Sequence, residues 1–267
     1  MVNKISGLVV LLFLITGVVY GASDWSGSLS PVMPGSFPPP RPLVATYSFG
    51  WAGFTAGRAD AAFSRMSGDR LRVEVKGGTT GFVRVLWRMD ALHLAVADVA
   101  TLLPSMMSQE EDYRGETRKT GLVFTGSAVT GTVAKTTVAK SLSWQVHFKY
   151  PALRDMHCAL LYLRSQKLEP GSVYNLTVYP ATSPFLVTAR VIGKEKVEVP
   201  AGEFDSIRVD LRLWKITGDL RLETAPKCKH AVVWVSDDAD RIPLKAQADV
   251  FIGSVWGQLE EVKHLKP

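Results

Sequence analysis

Only two cysteines occur in the chain, Cys158 and Cys228, and nothing like a C-x-x-C spacing joins them. The zinc and dithiol signatures carried by closely spaced thiols are therefore missing. Histidine is nearly as sparse. His93, His147, His157, His230 and His264 are scattered, with no H-x-x-x-H among them. There is no G-x-S-x-G elbow and no glycine-rich phosphate loop. His157 and Cys158 adjoin, but neighbours on a helix point about 100° apart, so adjacency does not make a base and its nucleophile. No metal, no cofactor and no catalytic residue is expected on these grounds. Dense basic runs are also lacking: 31 Lys and Arg stand against 25 Asp and Glu, a net charge of +6, and the signs interleave, as in Lys194–Glu198. That spread argues against nucleic acid. It is compatible with a weak attraction to anionic envelope polymers or headgroups.

Long apolar runs are confined to the first residues. Lys4 precedes the apolar stretch Ile5–Tyr20, and the small residues Gly21, Ala22 and Ser23 follow. This is the layout of a signal peptide. Residues 1–22 are read as that peptide, with cleavage after Gly21 or Ser23; an uncleaved anchor is the alternative. No cysteine stands at the cleavage site to carry a lipid. No later segment is apolar and long enough to span a bilayer, so the mature protein is expected to be periplasmic or secreted, with no membrane span. In an oxidising compartment Cys158 and Cys228 either bridge or remain separate thiols, and the sequence leaves both open. Residues 23–42, rich in Ser, Gly and Pro and containing Pro38–Pro40, read as a linker outside the core.

What remains, residues 43–263, reads as one β domain. Leu71, Val73 and Val75 alternate with Arg72, Glu74 and Lys76, the period of a half-buried strand. Val83–Trp87 and Ala91–Ala97 read as strands, and Gln109–Lys119 as a charged, solvated segment. Asp155–Gln166 is the best helix, with Asp155 as its cap and Met156, Leu160 and Leu163 on one face. After it come further strands and a final hairpin. Ala231–Val235 is one arm, Ser236–Arg241 a polar turn, and Pro243–Ile252 the alternating second arm. Mostly strands with one central helix predict an all-β, mainly antiparallel sheet curled into a barrel or half-barrel. Met156, Leu160 and Leu163 are expected to plug that sheet against hairpin residues such as Trp234 or Val250, with Arg164 meeting a carboxylate or backbone carbonyls.

Several segments carry a family resemblance. They are Leu160–Arg164 with Gly171, Val199–Phe204, and Val233–Asp238 with Arg241–Pro243 and Gly253. In that order they resemble DUF3108, a family of bacterial exported proteins of unknown function. The resemblance implies an envelope location and a β-rich fold, and it brings no activity or catalytic residue.

The candidate binding residues are Arg164, Trp234, Asp237, Asp238 and Arg241. Asp237, Asp238 and Asp240 cluster at the hairpin tip, but without the glycine and terminal glutamate of an EF-hand loop, so hydrogen bonds within the turn are the simpler role. Paired carboxylates in a groove would suit glycosidic hydrolysis; three acids at a turn tip diverge. Trp51, Trp87, Trp144, Trp214, Trp234 and Trp256 suit either a cavity lining or a core and rim. The functional expectation is a non-enzymatic periplasmic protein that binds a lipid-like, glycan or protein component of the envelope. A hydrolase of envelope polymers and a structural module of an envelope assembly are the alternatives.

Overall fold

The structure, a computed structural model, describes residues 25–225, 228–250 and 253–265, the side chain of Val250 excepted. The expected signal peptide lies outside them. Two antiparallel meanders make one sheet. The first runs β1 (Leu43–Trp51), β2 (Phe54–Met66), β3 (Arg70–Thr79), β4 (Met89–Asp98), β5 (Pro104–Tyr113), β6 (Glu116–Phe124), β7 (Ala128–Thr137) and β8 (Ser141–Lys149). The second holds β9 (Val173–Val178), β10 (Phe185–Val199), β11 (Gly202–Ile216), β12 (Leu222–Thr224), β13 (Cys228–Ser236), β14 (Pro243–Val250) and β15 (Gly253–His264). β1 pairs with β15, so the order is β8-β7-β6-β5-β4-β3-β2-β1-β15-β14-β13-β11-β10-β9, with β12 beside β11. The sheet is curled but not closed; β8 and β9 are its edges. The half-barrel expectation holds.

The alternation read from sequence sets which face is inward. Leu71 and Val73 of β3 are buried, as are Thr120, Leu122 and Phe124 of β6. β2 and β3 approach so closely that a Cβ on Gly57 would lie 2.1 Å from the Gly78 carbonyl oxygen, which fixes glycine there.

A helix, α2 (Met156–Ser165), links the two meanders and lies in the curl. Asp155 caps it, accepting from the backbone N–H of His157 at 2.7 Å and Cys158 at 3.1 Å. Its buried side chains reach three walls. Cys158 and Leu161 pack on Leu71, Val73, Ala95 and Ala97. Tyr162 packs on Leu176 and Val178. Leu163 packs among Val209, Val233 and Val235, so the helix does meet the hairpin. Met156 and Leu160, expected as plug residues, are instead each 39% exposed. The segment is apolar almost all round, so spacing alone did not choose its face. Trp234 also lies elsewhere. Beyond a bulge at Val191–Gly193, the long β10–β11 hairpin folds over the opposite face, and Val197, Val199 and Phe204 cover Trp234, Leu244 and Leu259 there.

Three further segments differ from expectation. Val83–Trp87 is not a strand. β3 pairs directly with β4, Gly78 opposite Asp90, so residues between them form a connection, and it winds into a short helix, α1 (Gly81–Leu86). Gln109–Lys119 is not a solvated loop but belongs to β5 and β6, with alternate side chains turned inward. Residues 25–42, read as a spacer, pack along the fold. Trp25 is buried with Met107, Leu122 and Tyr150, and the backbone N–H of Phe37 donates to the Ser165 carbonyl at 3.1 Å. Proline-rich chain leaves carbonyls without internal partners. Here Tyr162 donates to the Pro31 carbonyl at 2.6 Å and Arg154 to the Val32 carbonyl at 2.6 Å. Cys158 and Cys228 are both free thiols: one is sealed beneath α2, the other begins β13, so no disulfide joins them.

Candidate functional site

Most candidates named from sequence converge on a lock at the C-terminus of α2, not on a cleft. Asp238 Oδ1 accepts from the Ser236 hydroxyl at 2.7 Å and from the N–H groups of Asp240 (2.9 Å) and Arg241 (3.0 Å), which folds the turn. That turn holds Arg241 at φ 44°, in the left-handed region that L-residues seldom adopt. Arg241 then donates to the carbonyls of Arg164, at 3.0 Å, and Gln166. Arg164 reciprocates. Its Nε donates to the Asp240 carbonyl at 2.7 Å, and its other nitrogens reach Ala239 at 3.3 Å and Pro38. Both guanidinium groups lie over the Phe37 ring, at 3.6 Å for Arg241 and 5.1 Å for Arg164. Burial pushes the Arg164 guanidinium down to about 10. Asp240 faces outward to Arg41 (2.6 Å) and His264 (2.8 Å); the Arg41 hydrogen bond, ahead of the His264 contact, holds its carboxyl below the usual carboxylate range. Asp237 stands apart, paired with Lys194 at 2.6 Å. Trp234 donates to Glu195 at 2.5 Å beneath the folded-over hairpin. The Arg164 guanidinium and Arg241 Nη1 thus meet carbonyls of the protein itself.

The inner face of the first meander is different. Side chains there form rows across the strands. One row, Val73–Ala95–Met107–Leu122, is apolar. The next, Val75–His93–Gln109–Thr120–Val133, turns polar at its middle. The one after, Ala91–Glu111–Arg118–Lys135, is mostly charged. His157 of α2 overhangs the middle row, its ring 5.9 Å from that of His93. Gln109 donates across the curl to the Pro180 carbonyl at 2.9 Å. Three polar atoms in this band, Thr120 Oγ1, His157 Nε2 and Arg118 Nε, are buried without a hydrogen-bond partner. His93 Nε2 has only a 3.5 Å approach to Glu111. Buried polar groups are otherwise almost always paired; Arg154 Nε, Asp155 Oδ2 and Arg208 Nε are further unpaired atoms among the described residues, outside this band. Burial holds His157 below its usual value, with the nearby carboxylate of Asp155 opposing. His93, then Tyr113 and Arg118, hold Glu111 low. Lys135, then Arg118, do the same for Glu116.

The family model of DUF3108, proteins of unknown function, matches residues 46–260. The chain belongs to the DUF3108 family. No curated protein matches it. Among solved structures, it resembles a β-barrel-like protein of the DUF1849 domain from Brucella abortus, with TM-score 0.57 and 10% identity over 86% of this chain and 100% of that one. That likeness shows the fold alone. A chain from Bacteroides fragilis described as exported and YmcC-like in fold has TM-score 0.36 and 12% identity, covering 86% of this chain and 99% of its own. One from Parabacteroides distasonis described as a lipoprotein has TM-score 0.37 and the same identity and coverage. Those two superpose too loosely to bear on this chain.

In this DUF3108 protein the segments that carried the resemblance fall mostly on the lock and the folded-over hairpin. The polar band was missed because the sequence Gln109–Lys119 reads as surface charge. Its signal was the period of two in Met107, Gln109, Glu111 and Tyr113, and again in Glu116, Arg118, Thr120 and Leu122. A cleft of about 380 Å³ is lined by Arg212, Leu213, Trp214, Thr224, Lys229 and His230. There Asp210, with Asp249 at 3.3 Å, raises the His230 value, and Arg212 lies 3.7 Å from Asp210. Its His230 and Arg212 therefore already have carboxylate partners.

Proposed function

We propose that this is a non-enzymatic, exported envelope protein that binds a hydroxyl-rich component, a glycan or the head of a lipid, on the inner face of its curled sheet. The observation that carries the reading is the group of buried polar atoms without partners at Thr120, His157 and Arg118, beside His93. Hydroxyl groups both donate and accept, so they suit a mixed band of imidazole, hydroxyl and guanidinium. A hydrolase is less well supported. A glycosidase needs one carboxyl held high as the acid, whereas Glu111 and Glu116 are both held low. Export rests on the leader-like first residues, and N-terminal sequencing of the envelope form tests it; a chain beginning at Met1 would refute cleavage.

Native mass spectrometry of protein purified from its own envelope tests binding. A retained mass that disappears in Thr120→Val is expected. Thr120→Val removes an unpaired buried hydroxyl at constant shape, so the unliganded fold should be no less stable. Identical masses under native and denaturing conditions, with no melting shift on adding peptidoglycan fragments or phosphatidylglycerol, would overturn the reading.

A further inference from the structure

We infer that a second surface, at the β1–β2 turn and α1, docks on an anionic phospholipid bilayer. Phe54 is 72% exposed, Phe82 74% and Val85 73%, with Leu86, Trp87 and Trp51 also exposed. α1 buries none of its side chains. It is held in place by its backbone and by arginines, not by its apolar groups: the Thr80 N–H donates to the Ala56 carbonyl at 3.0 Å, and Arg84 forks onto Asp90 at 2.7 and 2.8 Å. A knob that spends phenylalanine, valine and tryptophan on solvent has the composition of a membrane-interface element. Charge at its base fits an anionic surface. Arg84, Arg88 and Arg114 stand there against Asp90 and Asp112, and Arg114 donates to the Leu86 carbonyl at 3.1 Å. Apolar tips followed by a net positive collar match a bilayer with acidic headgroups better than a flat protein face. The knob also adjoins the charged end of the inner face. The Arg114 N–H donates to the Arg88 carbonyl at 3.1 Å, and Arg88 meets Asp112 at 3.2 Å. Docked this way, the protein would present the mouth of its curled sheet to the headgroup layer. No helix among the described residues is long and apolar enough to cross a membrane, and docking needs none.

The test is co-sedimentation of the full chain with vesicles of phosphatidylethanolamine and phosphatidylglycerol, and with vesicles of zwitterionic phosphatidylcholine alone. Binding to the anionic vesicles is expected, several-fold weaker on the zwitterionic ones. Phe82→Ser with Val85→Ser should lower the partition coefficient roughly tenfold or more, with an unchanged melting curve because both side chains are exposed. Phe54→Ser, on the neighbouring turn, should act in the same direction and guards against a local effect on α1. The inner-face reading is tested apart from any bilayer, by the melting shift with soluble peptidoglycan fragments, which the serine variants should leave unchanged, so the two readings fail separately. Absence of sedimentation with anionic vesicles, or undiminished binding by the serine variants, would overturn the inference. So would a parent dimer that the serine variants dissociate without any vesicle binding, since the knob would then cover a second copy.

Discussion

Arg164→Met is the sharpest probe of the lock. The arginine is 7% exposed, and its guanidinium bonds are to carbonyls: Asp240 at 2.7 Å, Ala239 at 3.3 Å and Pro38. Methionine keeps the packing length but donates nothing. All three bonds are then lost: leaving the carbonyl of buried Asp240 unpaired costs about 1–3 kcal/mol, and each bond to the exposed residues Ala239 and Pro38 about 0.5–1.5 kcal/mol. Against this, methionine removes the penalty of burying a charge, visible in the downward push on Arg164. The net expectation is a loss of about 2–4 kcal/mol, which for a domain of this size lowers the melting midpoint by roughly 4–16 °C. The loss should have a second signature. Arg164 ties the Pro38 carbonyl and, with Arg241, lies over the Phe37 ring, so the segment Gly35–Pro42 should become cleavable by protease well below the midpoint. Urea melts and limited proteolysis read the two effects. A variant that melts within about 0.5 kcal/mol of the parent, the range of an ordinary surface change, with the segment still protected, would refute the reasoning.

Leu161→Ala should cost about 2–5 kcal/mol, the range for a buried leucine, while the half-exposed Leu160→Ala should cost clearly less; equal midpoints in urea would mean the helix face is misassigned. Burial holds folded His157 below its usual value, so the unfolded chain takes up the proton first. Stability should therefore be unaffected by this group above about pH 6.5 and fall as pH drops below it, a slope that His157→Gln should reduce in melts between pH 7 and 5. Burial likewise raises both thiols, Cys158 far more strongly. A maleimide should label Cys228 in the native protein and Cys158 only after denaturant, and two labels on native protein would contradict the packing under α2.

The strands were legible where one face is apolar and the other charged, as at Leu71–Lys76, and where a polar turn separates two runs, as at Ser236–Arg241. The helix was legible from Asp155 onward, but not its orientation, because Leu161, Tyr162 and Leu163 make every face apolar. α1 was misread because Val83 and Val85 favour strands, while the pairing of Gly78 with Asp90 leaves them no partner strand. Among the residues read as candidates for binding, Arg164, Asp238 and Arg241 come together in space. Their sequence block marks a structural clasp, and the geometry that makes it one, a guanidinium facing carbonyls from a distant turn, has no local signature. His93, Thr120 and His157 were invisible as a group because three separate elements bring them together.

The joining of the two meanders through β1 and β15 has a consequence for how the chain acquires its shape. Leu43 faces His264 across that seam, and the Leu265 N–H donates to the Pro42 carbonyl at 2.9 Å. Every other pairing along the main path of the sheet is between strands close in sequence. Local hairpins can therefore zip early and fast, whereas the central seam must wait for the last strand and for closure of nearly the whole chain, the slow kind of contact. Until then β1 is an open edge carrying Leu43, Ala45 and Tyr47, ready to pair with the wrong strand. A chain emerging from its amino end would pass through that state each time. Chaperone dependence and aggregation during refolding should accordingly respond most to mutations along the seam, even those that leave the finished protein as stable as before.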